Sequence, residues 1–247
     1  MHTNAIEDET QRNRHAARDY DQSPLVVTWE STRACWLACD HCRADAVAER
    51  APDELGTAAV RGLVDEVARF DPSPVFVVSG GDPLERPDVV EVLSYAADRV
   101  TTAVTPAPTP RLDRETVARI ADAGVHRMAV SIDRATAHAH DAFRGEAGSF
   151  EAARQAARYA DDAGVPIQVN TTVTADTVPG LPAVANLVER LGAVAWEGFF
   201  PVPCGRRAAL GARVDPGGAA GLRDPVADVR RQLELEVARG LVHAVFE

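Results

Sequence analysis

A chain of 247 residues, 46% hydrophobic and 26% charged, can bury a full core and reads as one globular domain. Its formal net charge is −11, with arginine and no lysine among its cations, which argues against nonspecific contact with nucleic acid or an anionic membrane, since both need basic patches. No apolar run is long enough to span a bilayer, and residues 1–23 lack a signal-type apolar segment. A cytoplasmic location is therefore expected, where thiols stay reduced.

Residues 1–23 are polar and aperiodic and read as a flexible arm. A β-branched run, Leu25–Trp29, predicts the first strand. It leads into Cys35-Trp36-Leu37-Ala38-Cys39-Asp40-His41-Cys42, three cysteines within eight residues. Three thiols cannot pair evenly as disulfides, so a cluster this tight suits a metal or iron–sulfur centre. An iron–sulfur cube normally takes four thiolates, and a set of three leaves one iron open to a small chelating molecule. A zinc knuckle completed by His41 is the alternative.

Beyond the cysteines, strand and helix patterns alternate. A helix is predicted from Thr57 to about Phe70, on Val60, Leu63, Val64 and Val67 at helical spacing. Further strands are predicted at 74–79, 100–105, 125–132, 165–173 and 193–200. The intervening helices are predicted at 87–98, from Asp113 to Gly124, from a Ser149 cap to Gly164, and at 181–191. Gly124, Gly164 and Gly192 each stand between a helix and a strand, as C′ caps should. Six strands alternating with helices imply parallel pairing with right-handed crossovers. The count alone permits a doubly wound sheet or a partial barrel.

The unusual loops all follow strands. Gly80-Gly81-Asp82-Pro83 is good turn chemistry, and also lets the backbone approach a ligand closely. Three prolines stiffen 105–110, as a substrate wall or a plain spacer. Ser131, Ile132 and Asp133 end the fourth strand, and an Asp141–Arg144 salt bridge is one way to fix the following loop. His138 and His140 sit in a surface-like pattern. Gln168, Asn170, Thr172 and Thr174 share one face of the fifth strand, suited to ligand contact or to polar packing between strands.

Cys35, Cys39 and Cys42 match the Cys-x3-Cys-x2-Cys motif of the radical S-adenosylmethionine (radical SAM) enzymes, and the chain resembles that family over about residues 18–206. Trp29-Glu30, Gly81–Leu84, His140-Asp141, Phe143-Arg144-Gly145 and Asn170-Thr171-Thr172 make it similar to the radical SAM/SPASM branch, which includes haem-pathway and peptide-modifying enzymes. The resemblance implies an α/β fold, a partial (β/α)6 TIM-like barrel with its chemistry at the C-terminal strand ends. It implies a [4Fe–4S] cluster on the three cysteines, with S-adenosylmethionine on the open iron. One electron then cleaves the sulfonium to a 5′-deoxyadenosyl radical, which takes hydrogen from a tetrapyrrole or peptide. Ferredoxin or flavodoxin would be the electron donor.

By the same resemblance, Gly80, Gly81, Asp82 and Pro83 match a Gly-Gly-Glu-Pro motif that holds the methionine amino group, with Asp82 in place of Glu. Ser131, Asp133, Arg144 and Asn170 are candidates for further cofactor contacts. A side chain at Gly81 is expected to block the cofactor while leaving the cluster assembled. The branch's extra C-terminal cysteines have no counterpart, for only Cys204 remains, and it reads as a buried thiol. A noncatalytic remnant is therefore the alternative to an enzyme. Residues 207–247 read as a glycine-rich linker and a helix over about 225–239. A truncated or frame-shifted tail, of the kind high-GC genes encode in a wrong frame, is the other reading.

Overall fold

The structure, a computed structural model, describes residues 18–174 and 176–199 and the backbone of 242–244. The arm before residue 18, Cys204 and the expected linker and helix beyond it lie outside the described residues. The strands are β1 (Val26–Glu30), β2 (Val75–Ser79), β3 (Thr102–Val104), β4 (Arg127–Ser131), β5 (Ile167–Thr172), β6 (Ala195–Phe199) and β7 (Val242–Ala244). The helices are α1 (Thr57–Val67), α2 (Val89–Ala97), α3 (Arg114–Asp122), α4 (Ala137–Arg144), α5 (Ser149–Asp162) and α6 (Leu181–Arg190).

All neighbouring strands are parallel, in the order β1-β2-β3-β4-β5-β6-β7. A doubly wound sheet needs a reversal of strand order to place helices on both faces. An unreversed order with crossovers of one hand puts every helix on the same side. That settles the choice left open by the strand count, and the sheet curls into a half-barrel. β7, which no sequence signal marked, adds three residues beside β6.

Alternation along the strands shows which face is inner. Phe76 and Val78 are wholly buried under the helices, whereas Val75, Val77 and Ser79 are half-buried. On β1, Trp29 is buried while Thr28 and Glu30 are exposed. Register then carries the inner row from Glu30 to Ser79, and from Ser131 through Asn170 to Glu197. The outer face holds the core, with Val60, Val64, Leu93, Ile120, Met128, Ala153 and Val184 from helices and strands in one cluster. Trp196 Nε1 donates to Thr171 Oγ1 at 2.9 Å within it.

The helix ends follow local chemistry. Asp113 caps α3 by accepting from Thr116 N at 2.8 Å, and Gly124, Gly164 and Gly192 take the left-handed conformation of C′ caps. α5 differs from expectation. Gly148 holds the cap position, and the cap is supplied from a distance by Asp141, which accepts from Gly148 N at 2.7 Å, Phe150 N at 2.8 Å and Ser149 Oγ at 3.0 Å. At the other end of the described chain, Arg18 and Ser23 are tied to the segment before β2, while residues 19–22 are exposed. Ser23 is buried and donates to Pro72 O at 2.6 Å, and Arg18 reaches the same carbonyl.

Candidate active site at the strand ends

The cysteine loop leaves the end of β1 and returns through an isolated bridge between Ala34 and Val47. Cys35 N donates to Val47 O at 2.9 Å, and Val47 N donates to Arg33 O at 2.9 Å. Beyond Cys42, Arg43 pairs with Glu30 at 2.6 Å, which ties the far side of the loop to β1. All three cysteines are free thiols, Cys39 buried and the other two half-buried. Burial, with smaller contributions from Asp82, Cys39 and Cys42, pushes the Cys35 thiol up to about 12. Burial also pushes Cys39 up, and the guanidinium of Arg144 pulls it partway back. Leu37 N donates to Cys35 Sγ at 3.3 Å, the kind of bond an anionic sulfur accepts.

Three gathered thiols, one of them an N–H acceptor and one beside a fixed cation, are a donor set that suits a cationic iron–sulfur core. Among the described residues no three His, Cys, Asp or Glu side chains converge as the ligands of a single metal ion would. His41 stacks on Phe143 of α4, with ring centroids 4.3 Å apart, so this stack joins the cysteine loop to the segment after β4.

The Gly80–Pro83 turn docks directly on the cysteine loop. Gly81 N donates to Thr32 O at 2.6 Å, and Asp82 N to Ala34 O at 2.7 Å. A Cβ built at Gly80 would overlap Thr32 O, and one at Gly81 would overlap Ala34 O and stand 2.7 Å from Arg33 O. The glycine pair is thus required first by contact between the two loops, and a side chain at Gly81 would disturb the cysteine loop as well as any cofactor. Asp82 is wholly buried. Its carboxylate accepts from Leu84 N at 3.1 Å, Thr109 Oγ1 at 3.1 Å and Ala107 N at 3.3 Å, so it braces the proline loop after β3. Pro83 begins a single 3₁₀ turn.

The segment after β4 holds a buried ion pair that sequence reasoning assigned to the wrong acid. Arg144 pairs with Asp133, Nε to Oδ2 at 2.8 Å, and Asp141 is the helix cap described above. Asp133 Oδ1 accepts from Thr172 N at 2.7 Å. Although burial works against its charge, Arg144 and the neighbouring donors hold its carboxyl down at about 2. His140 is wholly buried, contrary to the surface-like pattern, and its Nδ1 accepts from Asp133 N at 3.1 Å. Burial lowers its imidazole to about 4.

Ser131 and Asn170 lie in register on the inner face, both half-buried. Gln168 is committed to packing between strands, accepting from Arg127 at 3.2 Å and donating to Asn170 Oδ1 at 2.7 Å. The structure therefore unites the cysteine loop, the glycine turn, the proline loop and the 131–144 segment at one end of the half-barrel. Sequence reasoning missed Thr32, Glu54, Arg86 and Thr109, which link these loops. The only signal for Arg86 is its place three residues after Pro83.

A half-barrel of this order, with three thiols after its first strand, defines a class, and the comparisons name it. The Radical SAM superfamily model matches residues 29–184, and the chain belongs to that family. Its relatives include the AdoMet-dependent heme synthase of Nitratidesulfovibrio vulgaris, 41% identical over 196 residues, covering 78% of this chain and 53% of that one. They also include the mycofactocin maturase MftC of Mycobacterium ulcerans, 36% identical over 174 residues, 69% of this chain and 46% of that one. Both stand in the SPASM-type branch. The chain spans about half the length of these curated relatives. In fold it resembles SuiB of Streptococcus suis bound to S-adenosylmethionine, with TM-score 0.69 and 13% identity over 99% of this chain and 54% of that one. No helix among the described residues is long and apolar enough to cross a membrane.

Proposed function

We propose that the chain is a radical SAM enzyme acting on a tetrapyrrole, with Cys35, Cys39 and Cys42 holding a [4Fe–4S] cluster and S-adenosylmethionine lying beside it across the strand ends. The observation that carries this reading is the docking of the Gly80–Pro83 turn on the backbone of the cysteine loop. The three thiols and the glycine turn are thereby joined in one unit, as a shared site for cluster and cofactor would need. When bound, the cluster and cofactor supply one-electron cleavage of a sulfonium and hydrogen abstraction from substrate.

The chain's own residues do the holding. Gly80, Gly81, Asp82 and Pro83 border the methionine end of the cofactor. Ser131 and Asn170 offer polar groups from the inner face. Arg144 offers a cation near the sulfurs, and Asp133, with both oxygens engaged, acts by orienting it. A tetrapyrrole substrate is favoured by the heme synthase relatives at 39–41% identity. A peptide is the second reading, favoured by the maturase relative at 36%. An electron donor of the ferredoxin or flavodoxin type is expected, and so is a cytoplasmic setting.

Formation of 5′-deoxyadenosine by anaerobically reconstituted protein under dithionite, stimulated by an iron-bound tetrapyrrole, tests the proposal. Stimulation by peptide alone would favour the second reading. Full cluster loading with no 5′-deoxyadenosine would favour a chain that binds a cluster without turnover.

A further inference from the structure

Arg86 is buried to 2% exposure, and among the described residues it is the bulkiest of the fully enclosed side chains. A guanidinium carries five N–H donors, and here the acceptors match them. Nε donates to Asp88 Oδ1 at 3.0 Å, and Nη2 to Asp88 Oδ2 at 2.8 Å and Leu55 O at 3.0 Å. Nη1 donates to Ser31 O at 3.2 Å and reaches Glu54 Oε2 at 3.5 Å. The Trp29 ring lies 5.1 Å from Cζ, which gives a physical role to the Trp that precedes Glu30.

Glu54 passes this constraint toward the cysteines. Its Oε1 accepts from Thr32 Oγ1 at 2.5 Å, and Thr32 Oγ1 in turn accepts from Ala34 N at 3.0 Å, one residue before Cys35. Thr32 O and Ala34 O are the carbonyls that receive the Gly80–Pro83 turn. One connected network therefore runs from Arg86 to the backbone of both loops. Burying ions is an inefficient way to gain stability, since an apolar side chain of similar volume packs at lower cost. What a fully satisfied buried ion does supply is a defined position for the groups it binds.

We infer that Arg86 is a positioning residue for the cysteine loop, acting through Ser31 O and the Glu54–Thr32 link to fix the backbone from which Cys35 projects. The inference rests on the reading that Cys35, Cys39 and Cys42 hold the cluster. Lysine cannot replace Arg86, because an ammonium offers three donors from one point, where the site presents acceptors on several sides.

The test compares wild type, Thr32→Val, Arg86→Lys and Cys35→Ala after anaerobic reconstitution. Iron per chain, the rate of iron loss to a ferrous chelator, and the EPR spectrum of the reduced cluster with and without S-adenosylmethionine are measured. Thermal melts of the apo proteins report folding. Thr32→Val cuts the link and leaves Arg86 its other partners, so it should fold and load iron like wild type. It should lose iron roughly tenfold faster, the factor expected for one charge-assisted hydrogen bond, and show a weakened spectral response to S-adenosylmethionine. Arg86→Lys should move both readouts the same way. Wild-type iron loss and spectra in both Thr32→Val and Arg86→Lys would overturn the positioning role while leaving the cluster reading intact. No iron uptake by the wild type itself would overturn both.

Discussion

Arg144 Nε lies 2.8 Å from Asp133 Oδ2, and the two side chains are only 9% and 1% exposed. The pair joins the end of α4 to the end of β4, and Thr172 N brings β5 into the same contact. Removing one member leaves a buried charge without its partner, which costs about 3–5 kcal/mol. Asp133→Asn should therefore destabilise the apo protein by that amount in chemical denaturation. The double variant Asp133→Asn with Arg144→Met should recover part of the loss, because no uncompensated cation remains. A double variant as unstable as the single one would show that the ion pair itself is not the source.

His140 gives the pH dependence a specific shape. Burial depresses its imidazole from 6.5 to about 4, so the folded protein binds fewer protons than the unfolded chain between those values. Its contribution to stability is fully present above about pH 6.5 and is lost as the pH falls through about 4. Unfolding free energies measured in steps from pH 7 to 4 should fall across that window. His140→Gln retains an acceptor for Asp133 N and should flatten that portion of the curve. An unchanged slope in the variant would assign it to other groups.

Gly81 faces carbonyl oxygens of the cysteine loop, and a Cβ there has no room. Overpacking of this kind costs about 1–3 kcal/mol. Gly81→Val should lower both the iron retained after reconstitution and the S-adenosylmethionine bound in equilibrium dialysis. Normal iron with reduced cofactor binding would mean that the two loops separate without harm to the cluster site.

Much of the barrel was legible because its signals are local. Runs such as Val75–Val78 are apolar and β-branched, and the glycines at 124, 164 and 192 end helices by their own conformational freedom. α4 was not read as a helix, since Ala137–Arg144 carries only Phe143 as a large apolar side chain and shows no stripe. The ion-pair partner of Arg144 was misread for a related reason. Asp141 is three residues away and Asp133 eleven, and only the path of the chain after β4 makes the farther one the neighbour. The grouping of the three cysteines on one loop was legible because their spacing is local. Arg86 was not, for an arginine in a charged run looks like a solvated one until the fold closes over it.

Metal content after anaerobic purification and reconstitution tests the central claim most directly. The account predicts about four irons per chain and a brown chromophore. The colour should be lost in Cys35→Ala, Cys39→Ala and Cys42→Ala, and kept in Cys204→Ala. Stoichiometric zinc in the purified protein, with no uptake of iron on reconstitution, would contradict it.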